Sequence, residues 1–195
     1  MNRYSVLLLA LAACCTTREA TAPVEPPTVP TVPTVPSTNP PPTNEADATG
    51  PDTWTIGNVD VAPVADAKPV KVTAVRVGAH EGFERIVLEF EGDRVPGHHL
   101  EYIDRPAHDC ASGAPRDIEG DGLLLVQVQP ATAHDDAGAE TTPKESKPGL
   151  PVVREIERTC DFEAVVAYVV GVGAPTAYRA FELTAPARLV IDIKQ

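Results

Sequence analysis

Residues 84–92 read ERIVLEFEG, and the alternation in this run decides the fold. Successive side chains of an extended strand point to opposite faces. Ile86, Leu88 and Phe90 therefore share one face, and Val87, Glu89 and Glu91 share the other. Similar runs follow on both sides. VKVTAVRV (70–77) is β-branched and partly alternating, and HHLEYIDR (98–105) alternates. LLLVQVQ (123–129) places Leu124, Val126 and Val128 inward, VVREIER (152–158) is a weaker case, and AYRAFEL (177–183) follows. RLVIDIK (188–194) puts Leu189, Ile191 and Ile193 on one side. FEAVVAYVVGV (162–172) is apolar on both faces, as a central strand should be. Its length would also suit a helix, but its valines and terminal glycines favour a strand.

Turn residues separate these runs: Gly82, Pro96-Gly97, Gly120-Asp121-Gly122, Pro148-Gly149, Gly173 and Ala185-Pro186. Many short strands with regular turns describe a sandwich or barrel. The expectation is an all-β domain over residues 70–195, an antiparallel β-sandwich of about eight short strands. A segment of that length can bury one core. Residues 131–150, ATAHDDAGAETTPKESKPGL, read as a long acidic, mobile loop.

The chain before residue 70 is of another kind. Nine of the 21 prolines lie between Pro23 and Pro42, and Thr-Val-Pro occurs three times from Thr28 to Pro36. Such a segment favours extended polyproline II and denies the chain a packed core. Residues 21–53 would reach roughly 100 Å at about 3.1 Å per residue. A stalk holding a domain off a membrane is the direct reading, and a Pro-rich docking segment is the alternative. Ahead of it, Arg3 and an apolar run from Val6 to Ala13 have the form of a signal peptide. That run is too short to span a bilayer, which takes about 20 residues. Leu11-Ala12-Ala13-Cys14 resembles the lipobox of bacterial lipoproteins, in which the cysteine is acylated and becomes the new N-terminus. Cys14 fits and Cys15 does not, since Ala12 and Cys14 would then stand at the −3 and −1 positions. The alternatives are an ordinary signal peptide cleaved after Ala13 and a metal-binding cysteine pair. The expected domains are a signal peptide (1–13), a lipidated N-terminus with a disordered Pro/Thr-rich spacer (14–69), and the β-sandwich (70–195). Acyl chains stabilise a bilayer anchor by about 0.8 kcal/mol per buried methylene. Cys15 at +2 is not the aspartate that retains a lipoprotein at the inner membrane. The outer membrane, or the outer face of the cell membrane, is the expected location.

Net charge is −12, and from Trp54 onward 14 Lys and Arg stand against 23 Asp and Glu, a balance of −9. Phosphate backbones repel such a surface, so nucleic acid is not an expected partner. The remaining cysteines, Cys110 and Cys160, would sit in an oxidising compartment after export, where an even count suggests a disulfide. The bridge would close a loop of about 50 residues, worth ~4 kcal/mol by loop entropy, and buried free thiols are the alternative. Cys160 is read as lying in the turn after residue 158.

The run VRVGAHEGFERIVLEFEG, then EYIDRP, then the ending FELTAPARLVIDIK carry a resemblance. Arg76-Val-Gly-x-His80, Gly82-Phe83, Arg85-Ile-Val, Glu89-Phe90, Tyr102, Asp161-Phe-Glu163 and Pro186-x-Arg188-Leu-Val-Ile-Asp192 are similar to the AMIN-like domain of bacterial surface lipoproteins. It is related in style to the AMIN domain of peptidoglycan amidases and secretion pores, and covers about residues 70–195. The resemblance implies a β-sandwich without catalytic machinery or cofactor, held at the cell envelope and bound to peptidoglycan or another envelope polysaccharide. The long 131–150 loop and the two cysteines are departures from the pattern.

Arg76, His80, Phe83, Arg85 and Tyr102 form the candidate ligand surface. Forked guanidinium donors suit carboxylates, and aromatic faces suit sugars. The alternative is structural: His80 capping its turn, Arg85 paired with Glu101 or Glu89, and Phe83 in the core. His98 and His99 point to opposite faces of a strand and cannot chelate together, and no calcium-loop pattern is complete, so no metal is expected. Ser112 in CASGA lacks a nucleophile elbow or base, and no carboxylate pair stands out, so no catalytic residue is assigned. Trp54, the single tryptophan, lies at the edge of the spacer, where it can dock on the domain. The second functional reading is an accessory lipoprotein that binds another envelope protein through a sandwich edge.

Overall fold

The computed structural model describes residues 48–195. The expected signal peptide, Cys14 and the spacer as far as residue 47 lie outside the described residues. Within them the chain forms β1 (Val59–Val61), β2 (Val70–His80), β3 (Phe83–Phe90), β4 (Gly97–Ile103), β5 (Ala107–His108) and β6 (Pro115–Arg116). There follow β7 (Gly122–Gln129), β8 (Ala131–Thr132), β9 (Glu145–Ser146), β10 (Val153–Phe162), β11 (Val165–Val172), β12 (Tyr178–Leu183) and β13 (Arg188–Lys194). The strands form a six-stranded sheet, β1-β4-β7-β11-β10-β9, and a five-stranded sheet, β12-β13-β3-β2-β8. β5 and β6 make a separate ribbon. All pairings are antiparallel except the short β2–β8 contact. The eight longest strands coincide with the eight runs expected from the sequence.

The alternation explains the packing. Ile86, Leu88 and Phe90 join Leu189, Ile191 and Ile193 on the inner face of the five-stranded sheet. They meet Leu100, Leu124, Val126, Val128, Val166, Tyr168, Val170 and Val172 of the other sheet in one buried cluster. Each such side chain contributes about 1.5–3 kcal/mol by leaving water. β11, flanked by β7 and β10, buries its other face too: Val169 packs with Leu123, Ala107 and Ile118 in a second cluster near the β5–β6 ribbon. That is why FEAVVAYVVGV is apolar on both sides.

Four details differ from the sequence expectation. The packed chain begins well before residue 70: β1 pairs with β4 along Val59↔Leu100 to Val61↔His98, and Thr55 bridges Tyr178. Segment 131–150 is pinned to the domain. Ala131 and Ala133 are buried in the core, β8 and β9 add short strands, and Arg158 donates to the carbonyls of Ala133 and Thr142 and pairs with Glu140 at 2.7 Å. The run 162–172 contains a turn at Glu163-Ala164 before the strand proper. Cys160 lies within β10, opposite Ala167, and not in the turn that follows. Cys110 and Cys160 form a disulfide with Cα atoms 5.2 Å apart, where the Cys110 amide also donates to the Thr159 carbonyl.

Candidate functional site

Register places the candidate residues. In β3 the side chains Phe83, Arg85, Val87 and Glu89 alternate with the core residues and so face outward. β13 sets Asp192 opposite Arg85 and Lys194 opposite Phe83, and β12 sets Arg179 opposite Asp192 and Phe181 opposite Val190. β2 adds His80 opposite Phe83. The outer face of the five-stranded sheet thus gathers His80, Phe83 and Arg85 with Arg179, Phe181, Asp192 and Lys194.

Asp192 is the pivot. It is fully buried, and its Oδ1 accepts from Arg85 Nε at 2.6 Å. Its Oδ2 accepts from Arg85 Nη2 and Arg179 Nε, each at 2.9 Å, and pairs with Arg179 Nη2 at 2.9 Å. A carboxylate so engaged holds two guanidiniums in fixed orientation. Aromatic rings wall the cluster. The His80 and Phe83 rings stack with centroids 4.9 Å apart, and the Arg85 guanidinium lies 5.2 Å from the Phe83 centroid and 5.4 Å from that of Phe181. Trp54 covers it: Arg179 stands 4.5 Å from the indole centroid, Lys194 Nζ 5.7 Å, and the Phe83 ring 6.3 Å. Cation–π contacts of this kind contribute about 0.5–2 kcal/mol each.

Residues 48–54 cross this face. Arg85 Nη2 donates to the Ala48 carbonyl at 2.9 Å, and Arg179 Nη1 donates to the carbonyls of Gly50 at 3.5 Å and Pro51 at 3.0 Å. Gly50 is there because nothing larger fits: a Cβ would stand 2.5 Å from Phe181 Cε1. Beyond Trp54, Thr55 exchanges backbone hydrogen bonds with Tyr178 at 2.9 and 2.8 Å.

Two of the five sequence candidates stand apart from this cluster. Arg76 shares the outer face, but its Nη2 pairs with Glu89 at 2.8 Å. Tyr102 lies on β4 in the other sheet, where its hydroxyl donates to the Thr176 carbonyl at 2.8 Å and accepts from the Thr176 amide at 3.1 Å. Burial pushes its phenol above the ordinary range, so it stays protonated and locks a loop. Sequence reading missed Arg179, Phe181 and Lys194. The available signal was outward alternation in AYRAFEL and RLVIDIK, but not the register that sets them side by side.

A cleft of about 300 Å³ lies beside the disulfide. Within it His134 pairs with Asp161 at 2.8 Å and Arg158 with Glu140. His98 is buried and His99 is half-buried, on opposite faces as expected. Among the described residues no group of three His, Cys, Asp or Glu could hold a metal ion, and no helix is long and apolar enough to cross a membrane. The arginine cluster offers oriented donors, positive charge and aromatic faces. Its carboxylate has both oxygens occupied.

Fold and site together define a class: a two-sheet antiparallel β-sandwich that presents arginines and aromatic rings on one sheet face. The chain belongs to the AMIN-like domain family, whose model matches residues 70–195. No curated protein and no solved structure matches the chain. The family assignment points to an exported, envelope-associated module related to peptidoglycan. The two family-like segments meet in space: Phe83-x-Arg85-Ile-Val-x-Glu89-Phe is β3, Arg188-Leu-Val-Ile-Asp192 lies in β13, and the pairs Arg85↔Asp192 and Glu89↔Arg188 stand directly opposite.

Proposed function

We propose that the protein is a non-catalytic, lipid-anchored cell-envelope module that binds peptidoglycan through the outer face of its five-stranded sheet. Acylation at Cys14 would hold it at the outer membrane or the outer face of the cell membrane. The Pro/Thr-rich spacer would let the domain reach the wall. The observation that carries the reading is the gathering of His80, Phe83, Arg85, Arg179 and Lys194 on one face of an otherwise acidic AMIN-like domain. Aromatic faces suit sugar rings, and forked cations suit the carboxylates of wall peptides.

A second reading, an accessory lipoprotein that docks on another envelope protein, is favoured by a different observation. β1 is an edge strand, and Ile56, Val61 and Val64 around it are exposed. An open edge of this sort can pair with a partner strand.

A pull-down on purified cell-wall sacculi, run beside one on total envelope proteins, separates the two. Retention on sacculi, weakened about tenfold in a His80→Ala, Phe83→Ala double variant that keeps its β-sheet circular dichroism, is the expected result. Capture of a protein partner with no retention on sacculi would transfer the function to the edge. Cys14→Ala should leave the protein unprocessed or release it from the membrane fraction, and intact mass of the mature protein should show acyl chains on Cys14.

A further inference from the structure

Residues 48–54 grip the domain in an unusual way. Among the described residues, the hydrogen bonds that Arg85 and Arg179 donate to this strap go to main-chain carbonyls, of Ala48, Gly50 and Pro51. The side chains of Thr49, Pro51, Asp52 and Thr53 are exposed. Gly50 contributes by having no side chain at all. Any extended peptide with a small residue at the Gly50 position presents the same acceptors.

Arg179 is held by Asp192 through Nε and Nη2, and its remaining nitrogen, Nη1, would take a stronger acceptor than the strap gives it. Among the described residues, Arg179 Nη1 reaches two neutral carbonyls there, and the Lys194 ammonium also lies against the Trp54 ring, 5.7 Å from its centroid. A carboxylate at the position of the Gly50 and Pro51 carbonyls would replace neutral acceptors by a charged one, roughly doubling the strength of each hydrogen bond. We propose that this face is a binding site for a short extended peptide that ends in a small residue with a free carboxylate, and that residues 48–54 occupy it in cis as a displaceable stand-in. The inference rests on the envelope-binding reading for its biological ligand, since wall peptides are short and end in free carboxylates. The site itself does not depend on that reading.

A cis occupant lowers apparent affinity by the fraction of molecules in which the strap is closed. Trp54 reports that fraction directly. It is the only tryptophan of the chain and belongs to the strap, packed among Arg179, Phe83 and Lys194. The Thr55–Tyr178 bridge lies just beyond it and serves as the fixed end of the strap.

The experiment uses the full-length mature protein and two synthetic probes, acetyl-Ala-Ala-Gly with a free carboxylate and the same peptide as its carboxamide. The carboxylate peptide should shift Trp54 emission to the red in a saturable manner, and the amide should bind about tenfold more weakly. Gly50→Leu should be red-shifted at rest, because the added side chain collides with Phe181, and should bind the carboxylate peptide about tenfold more tightly. Lys194→Gln, at an exposed position, should narrow the gap between carboxylate and amide and does not depend on how Gly50→Leu folds. No response to the peptide in wild type and in Gly50→Leu, or equal binding of acid and amide, would overturn the proposal. A sacculus pull-down alongside keeps the two readings distinct. Peptide binding without sacculus binding retains the site and removes peptidoglycan as the ligand. Sacculus binding with silent Trp54 and no peptide response retains peptidoglycan and removes the site.

Discussion

Asp192 shows what a single residue does in this domain. It is the one carboxylate between two buried guanidiniums, and both of its oxygens are occupied. Removing one partner of a buried ion pair leaves charge without compensation, which costs about 3–5 kcal/mol. Asp192→Ala should therefore lower stability by about 3 kcal/mol or more in urea denaturation. A loss below about 1 kcal/mol would mean that solvent or the strap compensates the arginines. The identity of this partner was not legible. Sequence proximity suggests Glu89 or Glu101 for Arg85, yet Glu89 goes to Arg76, and the true partner stands 107 residues away. Alternation tells which face Asp192 takes. Only the register between β3 and β13 tells what it meets.

At the scale of elements, the β10–β11 hairpin was legible as strand and illegible as turn. Its two-residue turn, Glu163-Ala164, has φ of 50° and 61° at both positions. Hairpin turns of this form usually carry Asn-Gly, because other residues pay for a left-handed backbone. Here neither residue signals a turn, and the pattern of the run reads as strand from Phe162. The turn is held in part from outside, by the Ala131 amide donating to the Ala164 carbonyl at 2.8 Å. Glu163→Asn with Ala164→Gly should stabilise the domain by about 1 kcal/mol, seen as a raised denaturation midpoint with unchanged slope. β1 is another unread element. Its VDV is too short to signal a strand, and its attachment is partly ionic: His99 on β4 meets Asp60 of β1 at 2.5 Å and Glu101 at 3.2 Å. The Asp60 hydrogen bond, only partly opposed by desolvation, raises the His99 pKa above its ordinary 6.5. A raised folded value means that the imidazolium is favoured by folding. The stabilisation is then complete below about pH 6.5 and is lost as pH rises through the folded value. His99 is half-buried and its partner Asp60 is exposed, so the effect is small, about 0.5 kcal/mol or less. The melting temperature of wild type should exceed that of His99→Gln at about pH 5.5, and the two should converge by about pH 9.

For the whole molecule, the two-sheet plan was legible because it rests on period-two alternation, a property of each strand alone. The binding face was half legible. His80, Phe83 and Arg85 lie close together in sequence, whereas Arg179, Asp192 and Lys194 arrive through strands from the far end of the chain. The disulfide belongs to this scale too. It joins the segment after the β5 strand to β10, across a sequence separation of 50, and so ties the outer ribbon to the six-stranded sheet. Both main cores lie elsewhere: neither cysteine belongs to the inter-sheet cluster, nor to the smaller one around Ile118 and Val169. Closing a loop of this length removes entropy from the unfolded chain worth ~4 kcal/mol, which for a domain of this size lowers the melting temperature by roughly 12 °C when lost. The double change Cys110→Ser, Cys160→Ser should therefore leave β-sheet circular dichroism intact at 25 °C and lower the melting temperature by about that amount. In wild type, neither cysteine should take up iodoacetamide in denaturant until a reductant is added. A variant that melts with wild type would show that the unfolded chain gains no freedom when the bridge is opened. Unfolding at 25 °C would show that the ribbon and β10 depend on the bridge for their native packing.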